Sequence, residues 1–163
     1  MQAPRKPLLL LDIDGVLSLF DFAVDAPPAG RFATIDGIVH YLSDGAGEQL
    51  LALGAAFELV WCSGWEEKAN EYLPHLLGLP GPLPFLSFDR SPGHGQAHWK
   101  LAAIDAHAGR RPLAWVDDAL DDACHRWARR RDAPTLLVAT APAVGLTDGQ
   151  VEQLLAWARE LRA

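Results

Sequence analysis

The 163-residue sequence has only two cysteines, Cys62 and Cys124. They lie far apart and lack the spacing of metal ligands, so the sequence supports neither a disulfide scaffold nor a zinc site. Long apolar runs are also missing near the N-terminus, where MQAPRKPLLLLDIDG has four leucines before its first aspartate. Such a run is too short for the core of a signal peptide or for a membrane span. We therefore expect buried thiols, no membrane partner and a cytoplasmic location.

The sequence also has no excess of positive charge. It has 14 Lys and Arg against 21 Asp and Glu, a net charge of -7, so it lacks the broad basic surface on which nucleic-acid affinity depends. The one basic cluster is HRWARRRD, with Arg126, Arg129, Arg130 and Arg131. We interpret it as a solvated helix end whose cations suit the helix dipole. A nucleic-acid partner consequently has weak support, and oligomer formation stays open.

What the sequence does contain is a regular alternation of short apolar runs and helical patterns. Its length and its 50% hydrophobic content predict a single domain over residues 1–163. Apolar runs typical of strands buried on both faces occupy 7–12, 57–63, 84–89, 112–118 and 134–140. Helical spacing occupies 45–56, 65–77, 97–109, 119–131 and 147–163, with Gly109 and Thr147 as caps. This order predicts an α/β fold with a Rossmann-like, doubly wound, mostly parallel five-stranded sheet.

Residues 15–44 interrupt the alternation. This segment has a Pro-Pro-Ala-Gly turn between two β-like pieces and no helical pattern. We expect it to form a small hairpin flap, or minimal cap, beside the loop that follows the first strand.

Carboxylates stand where the first strand ends. In LLLLDIDGV, Asp12 and Asp14 are separated by one residue and are followed by Gly15. Such a pair can converge on one hard cation or on one reacting phosphoryl group, while the glycine lets backbone approach closely. The alternative is a turn with solvated acids. In parallel α/β sheets ligands bind beyond the carboxyl ends of the strands, which favours the functional interpretation.

Three further strand ends and helix starts carry polar groups. Ser63 and Gly64 follow the second apolar run and predict a small anion site, although Ser63 could equally cap the following helix. Lys100 follows the glycine-rich SPGHGQAHWK and could place a cation near the sheet edge. In WVDDALDDA the acids are Asp117, Asp118, Asp121 and Asp122. Together with the first pair they would repel strongly without a divalent cation, although a helix dipole stabilises some of them.

This ordered set of DIDGV, Ser-Gly, Lys and Asp-Asp resembles the haloacid dehalogenase (HAD) superfamily of aspartyl-phosphate enzymes, in a small capless form. The resemblance implies a Mg²⁺-dependent phosphatase. In it Asp12 is the nucleophile and Asp14 the general acid and base. Ser63, Gly64 and Lys100 bind phosphate. The metal ligands are Asp12, Asp117, Asp118 and, through its backbone carbonyl, Asp14.

The resemblance also implies an open site for a phosphorylated small molecule or a macromolecular end. Three alternatives stay open: a phosphotransferase using the same intermediate, a receiver-like module, and a HAD-fold binding protein without turnover. Motif order favours HAD over a receiver, because receivers carry their phosphoacceptor Asp on a middle strand. Trp65 and His98 flank the motifs and could contact a leaving group, but each is also typical of packing or surface positions.

Overall fold

The computed structural model describes residues 4–89 and 96–163 of the chain. Within these residues six strands are formed: β1 Leu8–Leu11, β2 Gly30–Ile35, β3 Ile38–Ser43, β4 Glu58–Trp61, β5 Leu113–Asp117 and β6 Thr135–Ala139. The α-helices are α1 Ala46–Gly54, α2 Lys68–Leu77, α3 Leu101–Ala108, α4 Asp122–Arg130 and α5 Asp148–Arg162, and a 3₁₀ turn His98–Lys100 leads into α3.

Four of these strands form the central sheet in the order β4-β1-β5-β6, and all of its strand pairs are parallel. Leu11 is aligned with Trp61 on one side and with Val116 on the other, so β1 is the strand between β4 and β5. The carboxyl ends of β4, β1 and β5 consequently lie side by side. This confirms the predicted α/β fold and its mostly parallel sheet.

Both faces of the sheet are buried, as the continuous apolar runs predict. Successive side chains of a strand point to opposite faces. Leu9 and Leu11 therefore join the core packed under α1, α2 and α5, whereas Leu8 and Leu10 join the core under α3 and α4. All four leucines are fully buried. Cys62 and Cys124 are free thiols in the second core, as expected.

The strand predicted at 84–89, the third of the five, is not formed. Phe85 forms only an isolated parallel bridge with Trp61, through hydrogen bonds of 2.8 Å from Trp61 N to Pro84 O and 2.9 Å from Leu86 N to Trp61 O. Prolines have no N–H to donate to a ladder, and Pro80, Pro82 and Pro84 recur at every second position here. The described sheet therefore has four strands, with this segment beside β4.

The predicted hairpin is present, but its turn lies elsewhere. Strands β2 and β3 are antiparallel and are joined by Asp36 and Gly37, both with positive φ (53° and 78°). An Asp-Gly pair suits this two-residue turn, because both central residues need positive φ. Pro27 and Pro28 precede β2, so the Pro-Pro-Ala-Gly stretch is not the hairpin turn. Ser43 N donates to Leu17 O over 3.0 Å, which joins the hairpin to the loop after β1.

The helices follow their predicted positions with shorter ends. Helix α2 begins at Lys68 instead of residue 65, because Glu66 has a φ of 50°, outside the right-handed helical region. Thr147 caps α5 in a capping box with Gln150, and Gly109 ends α3, as predicted. None of the helices in the described residues is both long enough and apolar enough to cross a membrane.

Candidate active site

The ends of three neighbouring strands meet at one buried ammonium group. Asp12 directly follows β1, Cys62 directly follows β4, and Asp117 ends β5. Lys100 Nζ donates to the backbone oxygen of Cys62 over 2.9 Å and to Oδ2 of Asp117 over 2.6 Å. It lies 3.3 Å from Oδ1 of Asp12. Burial alone would lower the pKa of Lys100, but the charges of Asp12 and its other neighbours outweigh burial and raise it. The ammonium group therefore stays charged.

Asp118 adds a third carboxylate to this cluster. One carboxylate oxygen from each of Asp12, Asp117 and Asp118 lies within 4.8 Å of the others. Burial raises the pKa of Asp12 well above its ordinary value, although Lys100 opposes the shift. Burial and the charge of Asp117 likewise raise the pKa of Asp118.

The chemistry of this donor set fits a divalent cation. Three carboxylates face one ammonium group, so negative charge remains in excess at a largely buried position. Carboxylate oxygens are the donors that hard cations such as Mg²⁺ prefer. A divalent ion among them would offset the charge that Lys100 leaves uncompensated. The acid cluster is therefore compatible with metal binding.

Gly15 allows Asp118 to approach the loop after β1. Its φ is 80°, and a Cβ atom there would lie 2.2 Å from Oδ2 and 2.7 Å from Cβ of Asp118. Thr140 holds the other side of this loop, because its hydroxyl donates to the backbone oxygen of Gly15 over 2.7 Å. Glycine at this position thus permits the positive φ and also leaves room for Asp118, which follows the neighbouring strand β5.

Ser63 and Gly64 lie on the opposite side of the cluster, after β4. The Ser63 hydroxyl is buried and accepts a hydrogen bond of 3.2 Å from the backbone N–H of Trp65. It therefore stabilises the turn before α2 instead of capping the helix itself, which begins three residues later than Trp65. The backbone N–H of Gly64 has no acceptor within the described part of the chain. It is available to an anion in the cleft.

Asp14 occupies a different environment from Asp12. Its side chain is 53% exposed, and its carboxylate is not part of the three-acid cluster. Trp65 Nε1 donates to Oδ2 of Asp14 over 3.0 Å, and His40 Nδ1 lies 3.9 Å from Oδ1. His40 is in turn hydrogen-bonded to the Ser18 hydroxyl over 2.9 Å and packs against the Trp65 ring at 4.9 Å. Asp14 is thus held by a hydrogen bond from the turn after β4 and is bordered on its other side by His40 of the flap.

Two other charged features of the sequence have structural roles. Asp121 caps α4 and accepts from His98 Nδ1 over 2.8 Å. Burial would raise the pKa of Asp121, but the hydrogen bonds from His98 and from the backbone of Cys124 lower it to about 2. Asp122 is exposed in the first turn of α4. In the basic cluster, Arg131 donates to the backbone oxygens of Gly109 and Arg111, each over 2.9 Å, and so joins the end of α4 to the loop after α3.

All of the predicted site residues line one cleft of about 640 Å³ at the carboxyl end of the sheet: Asp12, Asp14, Ser63, Gly64, Lys100, Asp117 and Asp118. Trp65 also lines this cleft, whereas His98 lines a neighbouring cleft together with Phe88. The glycine-rich stretch before Lys100 lies largely outside the described residues.

Sequence reasoning missed His40, Ser18 and Thr140. His40 lies in the predicted flap, but its distance to Asp14 depends on how the hairpin folds back. Ser18 is only four residues after Asp14 and could have been considered as its neighbour. No sequence signal points to Thr140, which reaches Gly15 across 125 residues of chain.

The fold and the site together define the HAD class. Its features here are a parallel α/β sheet, an acid pair after β1, a hydroxyl after β4, a buried lysine and an Asp-Asp pair at the end of β5. Residues 8–151 match the family described as the HAD domain in Swiss Army Knife RNA repair proteins, and the chain belongs to this family. None of the curated proteins compared with the chain matches it.

Membership of this family separates the chain from receiver modules. It supports a hydrolase of the phosphatase type in general.

We expect Gly15→Ala to destabilise the protein more than Gly37→Ala. Both glycines have φ near 80°, so both variants carry the conformational penalty of a side chain in that region. Open space surrounds Gly37, whereas a Cβ at Gly15 would collide with Asp118 even at its Cβ atom, so a change of rotamer brings no relief. The collision should cost about 1–3 kcal/mol more. Urea unfolding measures both, and equal losses would show that the loop moves without disturbing Asp118.

Proposed function

We propose that the protein is a Mg²⁺-dependent phosphomonoester hydrolase that acts through an aspartyl phosphate on Asp12. The observation that carries the proposal is the convergence of Asp12, Asp117 and Asp118 on each other beside the buried ammonium group of Lys100. A nucleophilic carboxylate next to a fixed cation and a metal site is what in-line phosphoryl transfer requires. The family match supports the same class of reaction.

Asp12, Asp117 and Asp118 would hold the metal, and the HAD resemblance adds the backbone carbonyl of Asp14. A bound Mg²⁺ would neutralise charge on the oxygens of the transferring phosphoryl group. Lys100 would offer a second positive charge, beside Asp12 and Asp117. Its longest contact is the one to Asp12, so this contact is the easiest of the three to exchange for a phosphoryl oxygen.

In the first step a carboxylate oxygen of Asp12 forms a bond to phosphorus. The bond from phosphorus to the leaving oxygen breaks, and that oxygen keeps the electron pair. Protonated Asp14 gives its proton to the leaving oxygen. The Ser63 hydroxyl and the Gly64 N–H would bind the phosphoryl oxygens during the transfer.

In the second step Asp14 takes a proton from water. The water oxygen attacks phosphorus, the bond to the Asp12 carboxylate breaks, and inorganic phosphate leaves. Trp65 donates to Asp14 and so limits its rotation toward bulk solvent. Because Asp14 serves two steps with opposite proton transfers, a fixed position that is still open to water suits it.

We further propose that the substrate is a phosphorylated RNA end. The description of the family refers to RNA repair proteins. The cleft is lined by side chains of the loop after β1 and of the turn after β4. The net charge of -7 does not favour long contacts with a polyanion. Recognition should therefore be confined to the terminal nucleotide.

We expect MgCl₂ to stabilise the protein against heat, and Asp118→Asn to remove most of that effect. Cation at about a hundredfold its Kd adds about 2.7 kcal/mol. The matched control is Asp122→Asn, an exposed acid outside the three-carboxylate cluster, which should respond to Mg²⁺ as the wild type does. Melting curves in MgCl₂ and in NaCl of equal ionic strength make the comparison. The same gain in NaCl would mean general screening and no metal site.

We expect Asp12→Asn and Asp14→Asn to fail at different steps. With an activated aryl phosphate, whose leaving group departs without a proton, Asp14→Asn should form aspartyl phosphate and hydrolyse it slowly, whereas Asp12→Asn should form none. Rapid-quench trapping of acid-stable, base-labile phosphate on the protein measures this. Label on the Asp12 variant alone would reverse the two roles, and no label on any form would remove the covalent mechanism.

We expect Trp65→Phe to slow phosphoenzyme formation from an alkyl phosphate about tenfold, because Asp14 loses the donor that fixes it. Formation from the aryl phosphate should change much less, since that leaving group needs no proton. Trp127→Phe is the matched control, because it loses an equivalent indole bond of 2.8 Å to Asp105 away from the cleft. Equal slowing with both substrates would mean that Trp65 does not act through Asp14.

A further inference from the structure

A second groove begins at Asp14 and runs along the flap. It has a volume of about 370 Å³ and lies between the loop after β1 and the outer face of the β2–β3 hairpin. Most of its wall is apolar or aromatic, formed by Phe20, Phe22, Val24, Phe32, Val39 and Tyr41. No step of the mechanism above uses these six residues.

The aromatic part of the groove has a rigid base. Tyr41 is buried, and its hydroxyl donates to the backbone oxygen of Pro28 over 2.6 Å. Phe22 and Phe32 pack on the Tyr41 ring, each with a centroid distance of 4.8 Å. Phe32 nevertheless remains 71% exposed. The packed rings thus form a fixed floor, on which the ring of Phe32 is exposed to the groove.

Exposed apolar side chains are concentrated here. In the part of the chain that the structure describes, eight large hydrophobic side chains are exposed, and Phe20, Val24, Phe32 and Val39 line this groove. Scattered exposed apolar residues need no explanation, but a cluster beside a reactive cleft indicates a contact surface.

The groove adjoins the catalytic cleft, since Asp14 and Phe20 line both. In the proposed mechanism Asp14 protonates the leaving oxygen. The group attached to that oxygen must therefore extend from Asp14, and the groove starts at this point. The phosphoryl group itself belongs at the Lys100 end of the cleft.

The charges along the groove limit what can occupy it. Its ionisable side chains, among the described residues, are Asp14, Asp21, His40 and Tyr41, and neither Lys nor Arg lines it. A second phosphate group would meet carboxylates without a compensating cation. The occupant should therefore be uncharged and flat enough to lie against an aromatic ring.

We propose that this groove binds the nucleoside that carries the scissile phosphate, with its base stacked on Phe32. The inference rests on the proposed phosphatase activity and specifies its substrate. Aromatic side chains bind bases of any sequence through their π-faces, which suits recognition of a terminal nucleotide without a basic surface. In a longer RNA, the phosphates beyond the terminal nucleoside would lie outside the groove, in solvent.

The experiment compares ribose phosphates that carry a base with one that does not. Adenosine 5′-monophosphate and adenosine 3′-monophosphate are measured against ribose 5-phosphate for wild type, Phe32→Ala, Phe32→Leu and Phe32→Trp. We expect wild type to show a higher kcat/KM for at least one nucleotide. The ratio of kcat/KM for that nucleotide to kcat/KM for ribose 5-phosphate should fall about 5- to 100-fold in Phe32→Ala and Phe32→Leu. Phe32→Trp should keep the wild-type ratio. Thermal melting checks that each variant is folded.

Val39→Ala and Val144→Ala form a matched pair. Both valines are exposed, at 64% and 54%, but only Val39 lines the groove. The nucleotide preference should fall in the first variant and stay at the wild-type value in the second. Adenosine itself should also bind the inactive Asp12→Asn variant, as measured by saturation-transfer NMR, and should bind the Asp12→Asn, Phe32→Ala double variant less.

The outcomes separate this inference from the proposed function. Hydrolysis that depends on Asp12, with equal rates for ribose 5-phosphate and both nucleotides in wild type and Phe32→Ala, would overturn the groove assignment and leave the phosphatase intact. Absence of Asp12-dependent hydrolysis for every phosphomonoester would instead overturn the proposed function. Concentration-dependent self-association that Phe32→Ala abolishes, without a change in nucleotide preference, would identify the groove as an interface between copies and overturn the substrate assignment.

Discussion

The position of the Lys100 ammonium group determines the architecture of the site. It connects groups from three adjacent strand ends: the backbone oxygen of Cys62 after β4, the carboxylate of Asp12 after β1 and the carboxylate of Asp117 at the end of β5. Two of these groups are buried carboxylates, which would be strongly unfavourable in isolation. Removing one partner of such a buried pair typically costs about 3–5 kcal/mol. Lys100 therefore has a structural role that precedes any contact with substrate, and a variant at this position would report on both.

Most of the fold follows from patterns in the sequence, because burial determines those patterns. Four consecutive leucines at 8–11 can only be accommodated where both faces of a strand are covered, and the structure buries all of them. The two errors arise from proline and from turn chemistry. The apolar run at 84–89 has the composition of a strand, but Pro84 has no N–H for a further ladder bond, and the N–H of Phe88 donates to the Glu66 side chain instead. Pro27 and Pro28 are typical turn residues, but Asp36 and Gly37 adopt the positive φ angles that a two-residue hairpin turn requires.

The residues of the site could be predicted for the same reason, but the surroundings of its exposed acid, Asp14, could not. Asp12, Asp117 and Ser63 occupy strand ends, and the order of strands in a parallel sheet brings such ends together. The surroundings of Asp14 depend on how the hairpin folds back and on where the turn after β4 places Trp65. Neither is encoded in a local pattern. The same applies to Thr140, whose hydrogen bond to Gly15 joins distant parts of the chain.

The different environments of the two acids suit the different chemistry proposed for them. Asp12 is buried next to a fixed ammonium group, where charge interactions with a phosphoryl group are strong because little water screens them. Asp14 has more than half of its side chain exposed, so the water from which it takes a proton in the second step can reach it. An exposed acid needs other restraints, and here the indole N–H of Trp65 supplies one, while His40 borders the acid from a separate chain segment. Because His40 lies on the hairpin that also forms the aromatic groove, a leaving group bound along Phe32 would be held by the same element that borders its proton donor. Binding of the leaving group and alignment of Asp14 would then depend on one structural unit.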